Sequence, residues 1–447
     1  MLRSRARAFS APDAGGAMEA VATPGECPDL SDACLVDILQ MAPTADVLEI
    51  LRDEDPERKF GAKAQAALLR CLRHPVAVAH PPGRPYRERL LKLAALAAEH
   101  DGLVVDDALA EAHAEALCEP RAGDQWDHKT FVLDVRPRDV VSETSFAATD
   151  ASALRDAGST TTPRVLVSPR EHTPEAPLVI TARTHSNLFE GSTGCHEWAA
   201  GFALAELVVS HPSRFAGKRV VEIGPGVGVA SSALAKSPHS PLEALTLLDR
   251  DHETLANLAA NLAINGVPIS TPETGENELA PDPRGAAAPT PRTRATRVAL
   301  RRLDWHDFDP TRLRAIRAEI VVAADVLYDP TDVSALLDVT AALLGARREE
   351  RATLRGGGDG DVETFSESRA TDEQGVPDDE AFALFVSAVR QPATLALFAR
   401  LAAERGFEPA DVTETFAAVP GAGFRRLSKA RRAEMRVHAL RPPKARR

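Results

Sequence analysis

The chain has 447 residues, 44% of them hydrophobic and 26% charged, an ordinary balance for a soluble globular protein of two or three domains. A net charge of -12 argues against a general nucleic-acid binder, and no run approaches the roughly eighteen apolar residues that a membrane span needs. The five cysteines (Cys27, Cys34, Cys71, Cys118 and Cys195) lie far apart and form no C-x-x-C pair, so neither a zinc site nor a disulfide framework is indicated and no metal is expected.

The opening MLRSRARAFSA lacks the apolar core of a secretory signal. It is free of acids up to Asp13, which leaves an organelle transit peptide open, but residues 1–29 read more simply as a disordered basic tail of a cytoplasmic protein. From 30 to 125, CLVDILQMAPTADVLEILRDED, AKAQAALLRCLRHP and the long run from PYRERLLKL onward carry apolar residues at helical spacing, predicting a helical domain. Residues 126–190 change texture: FVLDV, PRVLVS and PLVITART are short β-branched runs, which predict a connector with some strand.

From 191 to 447 the pattern predicts an α/β domain. The helix in CHEWAAGFALAELVVSHP should stop at His211-Pro212, after which strands are expected at 219–223, 244–248, 297–303, 318–323 and 381–389 with helices between them. Strand and helix alternating at this interval imply a doubly wound, mostly parallel sheet. Two stretches poor in apolar residues, 269–296 and 354–380, read as disordered insertions, and the basic C-terminal run FRRLSKARRAEMRVHALRPPKARR reads as a solvated tail.

Chemistry concentrates at the predicted strand ends. Gly224, Gly226 and Gly228 follow one strand and open a helix, where an α/β sheet binds nucleotides. A dinucleotide fingerprint would need glycine where Val229 stands, and no Gly-Lys-Ser/Thr follows, so NAD and a P-loop are both disfavoured. Glu222 would put a carboxylate near the turn, unwelcome beside a pyrophosphate but suited to the ammonium of a methionine moiety. Asp249 ends the next strand, where a carboxylate accepts from ribose hydroxyls; it competes with Asp251 as a helix cap. Asp304 and Trp305 in LDWHD offer an adenine an acceptor and a stacking face. Asp325 and Tyr328 in AADVLYD leave the fourth strand on the same side.

In this order TGCHEWAAGFALAELV, VVEIGPGVG, LDWHD and AADVLYD resemble the seven-β-strand, class I methyltransferases of methyltransferase family 16, which is marked by its Asp-x-x-Tyr element. Within that family the chain most resembles the elongation factor 2 lysine methyltransferases, through LRCLRHPVAVAHPPGRPYRERLLKLAALAAEHD, DDALAEAHAEAL and AFALFVSAVRQPATLALFARLAAERGFE. The resemblance implies S-adenosylmethionine as cofactor, held by Trp198, the Gly224-Pro225-Gly226 turn, Trp305 and Ala324, with Asp249 on the ribose. It also implies a lysine of translation elongation factor 2 as substrate. For such an acceptor Asp325 and Tyr328 are the candidate positioning groups, Asp325 to hold the incoming amine and Tyr328 to wall its pocket. The expected protein is a monomeric protein-lysine methyltransferase. A small-molecule methyltransferase and a non-catalytic S-adenosylmethionine-binding partner of the translation apparatus are the alternatives.

Overall fold

The structure is a computed structural model that describes residues 30–120, 125–134, 177–187, 192–270, 296–356, 381–416, 423–424 and 427–442. The predicted tail at 1–29, the segment PRVLVS and most of both predicted insertions lie outside the described residues.

Six helices open the described chain: α1 (Ala33–Leu39), α2 (Thr44–Arg52), α3 (Ala62–Leu72), α4 (Pro75–Ala79), α5 (Arg84–His100) and α6 (Asp107–Cys118). Local chemistry sets their ends. The Asp32 carboxylate accepts from the amides of Cys34 and Leu35 to start α1, and the Asp106 carboxylate caps α6. Their inward stripes, including Ile38, Leu51, Leu68, Leu90 and Leu109, form one sealed core.

Strands β1 (Trp126–Asp134) and β2 (Leu178–His185) pair antiparallel, with Phe131 opposite Ile180 and Val132 opposite Val179. Because side chains alternate across a strand, this ribbon serves two cores: Val132 and Val179 face the helices, while Phe131, Leu133, Ile180 and Ala182 face the main sheet. The two described strands of the segment expected as a connector therefore form a packed seam.

The rest runs α7 (Ala199–Ser210), α8 (Pro212–Phe215), β3 (Arg219–Ile223), α9 (Val229–Lys236), β4 (Ala244–Asp249), α10 (His252–Ile264), β5 (Arg297–Arg302), α11 (Pro310–Ala315), β6 (Ile320–Ala324), α12 (Val333–Gly356), β7 (Phe382–Ala388), α13 (Pro392–Glu404), β8 (Glu408–Asp411), β9 (Gly423–Phe424), α14 (Lys429–Ala433) and β10 (Met435–Arg441). The main sheet has seven strands in the order β5-β4-β3-β6-β7-β10-β8. Its first five are parallel, and β10 runs antiparallel to both its neighbours. Val220 and Val322 face a core shared with α7, α9 and α10, whereas Val221 and Val321 face one shared with α12 and α13. The expected doubly wound, mostly parallel sheet is what forms. After β5 the chain returns to the other side of β3, and this reversal leaves a crevice at the carboxyl ends of the strands.

Two expectations need correction. Met435–Arg441 is not a solvated tail but β10, inside the sheet, with Met435, Val437 and Ala439 buried. Its alternation is period two, and the arginines around it obscure that in the composition. Helix α12 also continues to Gly356, three residues into the predicted insertion, in a stretch rich in the strong helix formers Ala, Arg, Glu and Leu.

Candidate functional site

The crevice is built by the turn after β3. Gly226 has φ 56°, and a Cβ there would lie 3.3 Å from the carbonyl oxygen of Gly194, so the two backbones approach only because the residue is bare. Gly228, at φ 83°, opens α9, and a Cβ on it would lie 2.4 Å from Leu258 Cδ1. The amide of Gly224 donates to Leu248 O at 2.9 Å, tying the turn to the end of β4.

Around this turn lies a cleft that is partly open to solvent. Trp198, Gly224, Gly226, Asp249, Asp304, Trp305, Ala324, Asp325 and Tyr328 all line it. Residues up to 130 positions apart in the chain are thus brought to one surface. The second core anchors Trp305 from behind.

At the end of β4, Asp251 is the helix cap: its Oδ1 accepts from Thr254 N at 2.7 Å. Asp249 is left facing the cleft, with Oδ1 accepting from Asp251 N at 3.1 Å, and burial raises its carboxyl above the usual range. Asp304 accepts from the amide of His306 at 3.0 Å.

Three expected contacts lie elsewhere. Glu222 is buried beneath the turn, where Ser231 Oγ donates to it at 2.5 Å, and burial pushes its carboxyl up to about 7. It therefore does not present a carboxylate to the cleft. Pro225 and Gly228 are not among the lining residues; they shape the turn, the Gly228 amide donating to Pro225 O at 3.0 Å.

Asp325 sits in the left-handed region, φ 55°, uncommon for a non-glycine residue and a form of strain that collects at functional sites. Its amide donates to Val386 O at 2.9 Å, and its Oδ1 accepts from Ala388 N at 3.3 Å. Its Oδ2 accepts from Arg390 Nη2 at 3.0 Å. The carboxylate expected to await an amine thus already holds a cation. Tyr328 stands at the mouth, half exposed, and partial burial raises its phenol pKa. Trp198 donates from Nε1 to Thr193 O at 3.0 Å. His306 and Asp332, joined at 2.8 Å, also line the cleft and were missed in the sequence; the histidine of LDWHD was the available signal.

These groups fit S-adenosylmethionine. The glycine turn lines the cleft with bare backbone, Asp249 offers acceptors for ribose hydroxyls, and Trp305 offers a face to a purine. The mostly parallel seven-stranded sheet, with its cleft at the carboxyl ends of the strands, is the arrangement in which an α/β fold holds a nucleoside cofactor such as S-adenosylmethionine.

No family model matches the chain. Its similarity is to a particular group of curated methyltransferases. It is 31% identical over 179 residues to the protein-lysine N-methyltransferase EEF2KMT of Bos taurus, covering 40% of this chain and 50% of that one. Against EEF2KMT of Homo sapiens identity is 24% over 303 residues, covering 66% and 73%. Against the putative protein N-methyltransferase FAM86B1 of Homo sapiens it is 28% over 174 residues, covering 39% and 47%. The chain spans about half the length of the bovine and FAM86B1 relatives it matches. Among solved structures, a putative SAM-dependent methyltransferase from Streptococcus mutans overlaps with a TM-score of 0.31 at 11% identity, covering 59% of this chain and 53% of that one, too loosely to add to the topology. The resemblance read in the motifs thus extends to curated EEF2KMT and FAM86 proteins.

Proposed function

We propose that this protein is a cytoplasmic protein-lysine N-methyltransferase whose substrate is a lysine of translation elongation factor 2. The observation that carries the reading is a single cleft in which Asp249 and Trp305 lie with Asp325 and Tyr328, so that a cofactor wall and an acceptor wall meet. The names of the curated relatives support the choice of lysine and of elongation factor 2.

S-adenosylmethionine, when bound, supplies a methyl group already activated on a sulfonium. The residues of this chain then have to bind, orient and desolvate. The turn at Gly224 and Gly226 would hold the amino-acid end, Asp249 the ribose hydroxyls, and Trp305 with Asp304 the adenine. Lysine has an unperturbed pKa near 10.4, so only about one side chain in a few thousand is neutral at pH 7. Lysine would enter as the ammonium; Tyr328 and Trp198, beside the methylene stem, would then exclude water, so that the bound ammonium gives its proton to solvent and the neutral amine is the form that attacks. Asp325 would fix the nitrogen and align it for in-line approach. Helices α1–α6, packed through the β1–β2 seam onto the sheet, offer a surface for a folded protein substrate.

The test is incubation of the purified protein with labelled S-adenosylmethionine and a cell extract, followed by mass-spectrometric identification of the labelled residue. Label on a lysine of elongation factor 2 is expected. Label confined to small molecules, or none despite demonstrated cofactor binding, would overturn the proposal.

A further inference from the structure

Arg390 lies just beyond β7. Its guanidinium reaches Asp325 Oδ2 at 3.0 Å and stands over the Trp198 ring, 5.3 Å from the centroid. Both of those residues line the cleft, and they come from elements far apart in the chain, the start of α7 and the end of β6. The Asp325 side chain is only 7% exposed, whereas that of Arg390 is 48% exposed, so the carboxylate belongs to the interior and the cation reaches it from the solvent side. An aromatic face and an inward carboxylate around one position are the two groups that recognise a side-chain cation.

Asp325 does not depend on Arg390 for its place. Its backbone is tied to Val386 O, and its Oδ1 accepts from Ala388 N at 3.3 Å, so the residue keeps partners of its own when the guanidinium leaves. A half-exposed guanidinium, in turn, is a weakly held partner. Val389, its neighbour in the chain, is also an exposed apolar residue.

We propose that Arg390 is a resident stand-in for the acceptor: in the free enzyme its guanidinium occupies the subsite between Asp325 and Trp198, and the ε-ammonium of the substrate lysine displaces it on binding. This rests on the lysine-acceptor reading above and adds a specificity rule to it. A side chain enters only if it replaces the Arg390 pair with an equivalent one, which neutral and acidic residues cannot do.

The test uses the full-length protein saturated with S-adenosylhomocysteine and titrated calorimetrically with n-butylammonium, a lysine side-chain mimic that requires no knowledge of the protein substrate. Arg390→Ala should bind the amine about 5- to 10-fold tighter than wild type, the size of one exposed ion pair plus a cation–ring contact. Arg390→Met, which keeps the apolar stem, should do the same and serves if the alanine variant misfolds. Adding Asp325→Asn to either should abolish the gain. With a protein acceptor, KM should fall and kcat should stay within about twofold. Unchanged or weaker amine binding in a variant that melts like wild type would overturn the proposal, because Arg390 would then support Asp325 rather than occupy its subsite. A gain in amine affinity without any lysine labelling in extract would leave the subsite standing and remove only the protein substrate.

Discussion

Two carboxylate–guanidinium pairs in this molecule use the same chemistry to different ends. Glu206 on α7, 3% exposed at its side chain, receives Arg432 through two nitrogens at 2.9 and 2.5 Å and also accepts the amide of Phe424 at 2.7 Å. Arg432 in turn donates to Phe424 O at 2.9 Å. Helix α7, strand β9 and helix α14 are locked at one point, and β9 extends the β1–β2 ribbon. Asp325 has one nitrogen of a half-exposed arginine and one long backbone contact. The difference shows how a fold separates holding from working: the first carboxylate has its acceptor capacity filled by its own chain, while the second keeps a partner that can be exchanged.

Four measurements break or sharpen that comparison, taken from the largest effect to the smallest. Glu206→Ala should cost about 3 to 4 kcal/mol, since it leaves an arginine and a buried amide without their acceptor. Denaturant unfolding reads this directly, and a loss below about 1 kcal/mol would put Glu206 among the dispensable pairs.

Glu222 is a holding carboxylate with a pH signature. Its folded pKa of about 7 lies above the unfolded value near 4.3, so the folded state keeps a proton that the unfolded chain gives up. Its contribution to stability is therefore fully present below about pH 4, declines as pH rises and levels off above about 7. Glu222→Gln, measured against wild type at pH 5 and pH 8, should gain about 2 to 3 kcal/mol in relative stability across that interval. A pH-independent difference would mean the carboxyl is ionised in the folded protein.

Asp325→Ala should lower methyl transfer about 100-fold while leaving S-adenosylhomocysteine affinity within a few-fold, and with little change in melting temperature. The converse pattern, lost stability with retained kcat, would move Asp325 to the holding group. Finally, Gly226→Ala should cost about 1 to 2 kcal/mol from its left-handed backbone and weaken cofactor binding, because the new methyl enters the approach to Gly194. Binding unaffected by that substitution would show that the turn is not where the cofactor lies.

The working site was more legible in the sequence than the holding one. Gly224, Gly226, Asp249, Trp305, Asp325 and Tyr328 all sit at strand ends, and the alternation of strand and helix places successive strand ends together without any long-range information. Arg390 escaped because its meaning depends on Asp325, 65 positions earlier, and on Trp198, and no local pattern links the three. Glu206 sits in an apolar helix as an apparent exception, and only the fold supplies Arg432. Strand β10 was hidden by its own charges: Arg436 and Arg441 alternate with residues that are buried, and composition outweighed period. Glu222 was placed in the cleft because its position beside the turn is visible, whereas the direction of its side chain depends on Ser231, nine residues later.

The claim on which the rest depends is that the cleft around Asp249 holds the cofactor. Calorimetric titration of S-adenosylhomocysteine into wild type and Asp249→Ala tests it most directly. Saturable one-to-one binding to wild type, weakened at least tenfold in a variant that remains folded, is the predicted result. Equal affinity in the two proteins would contradict it.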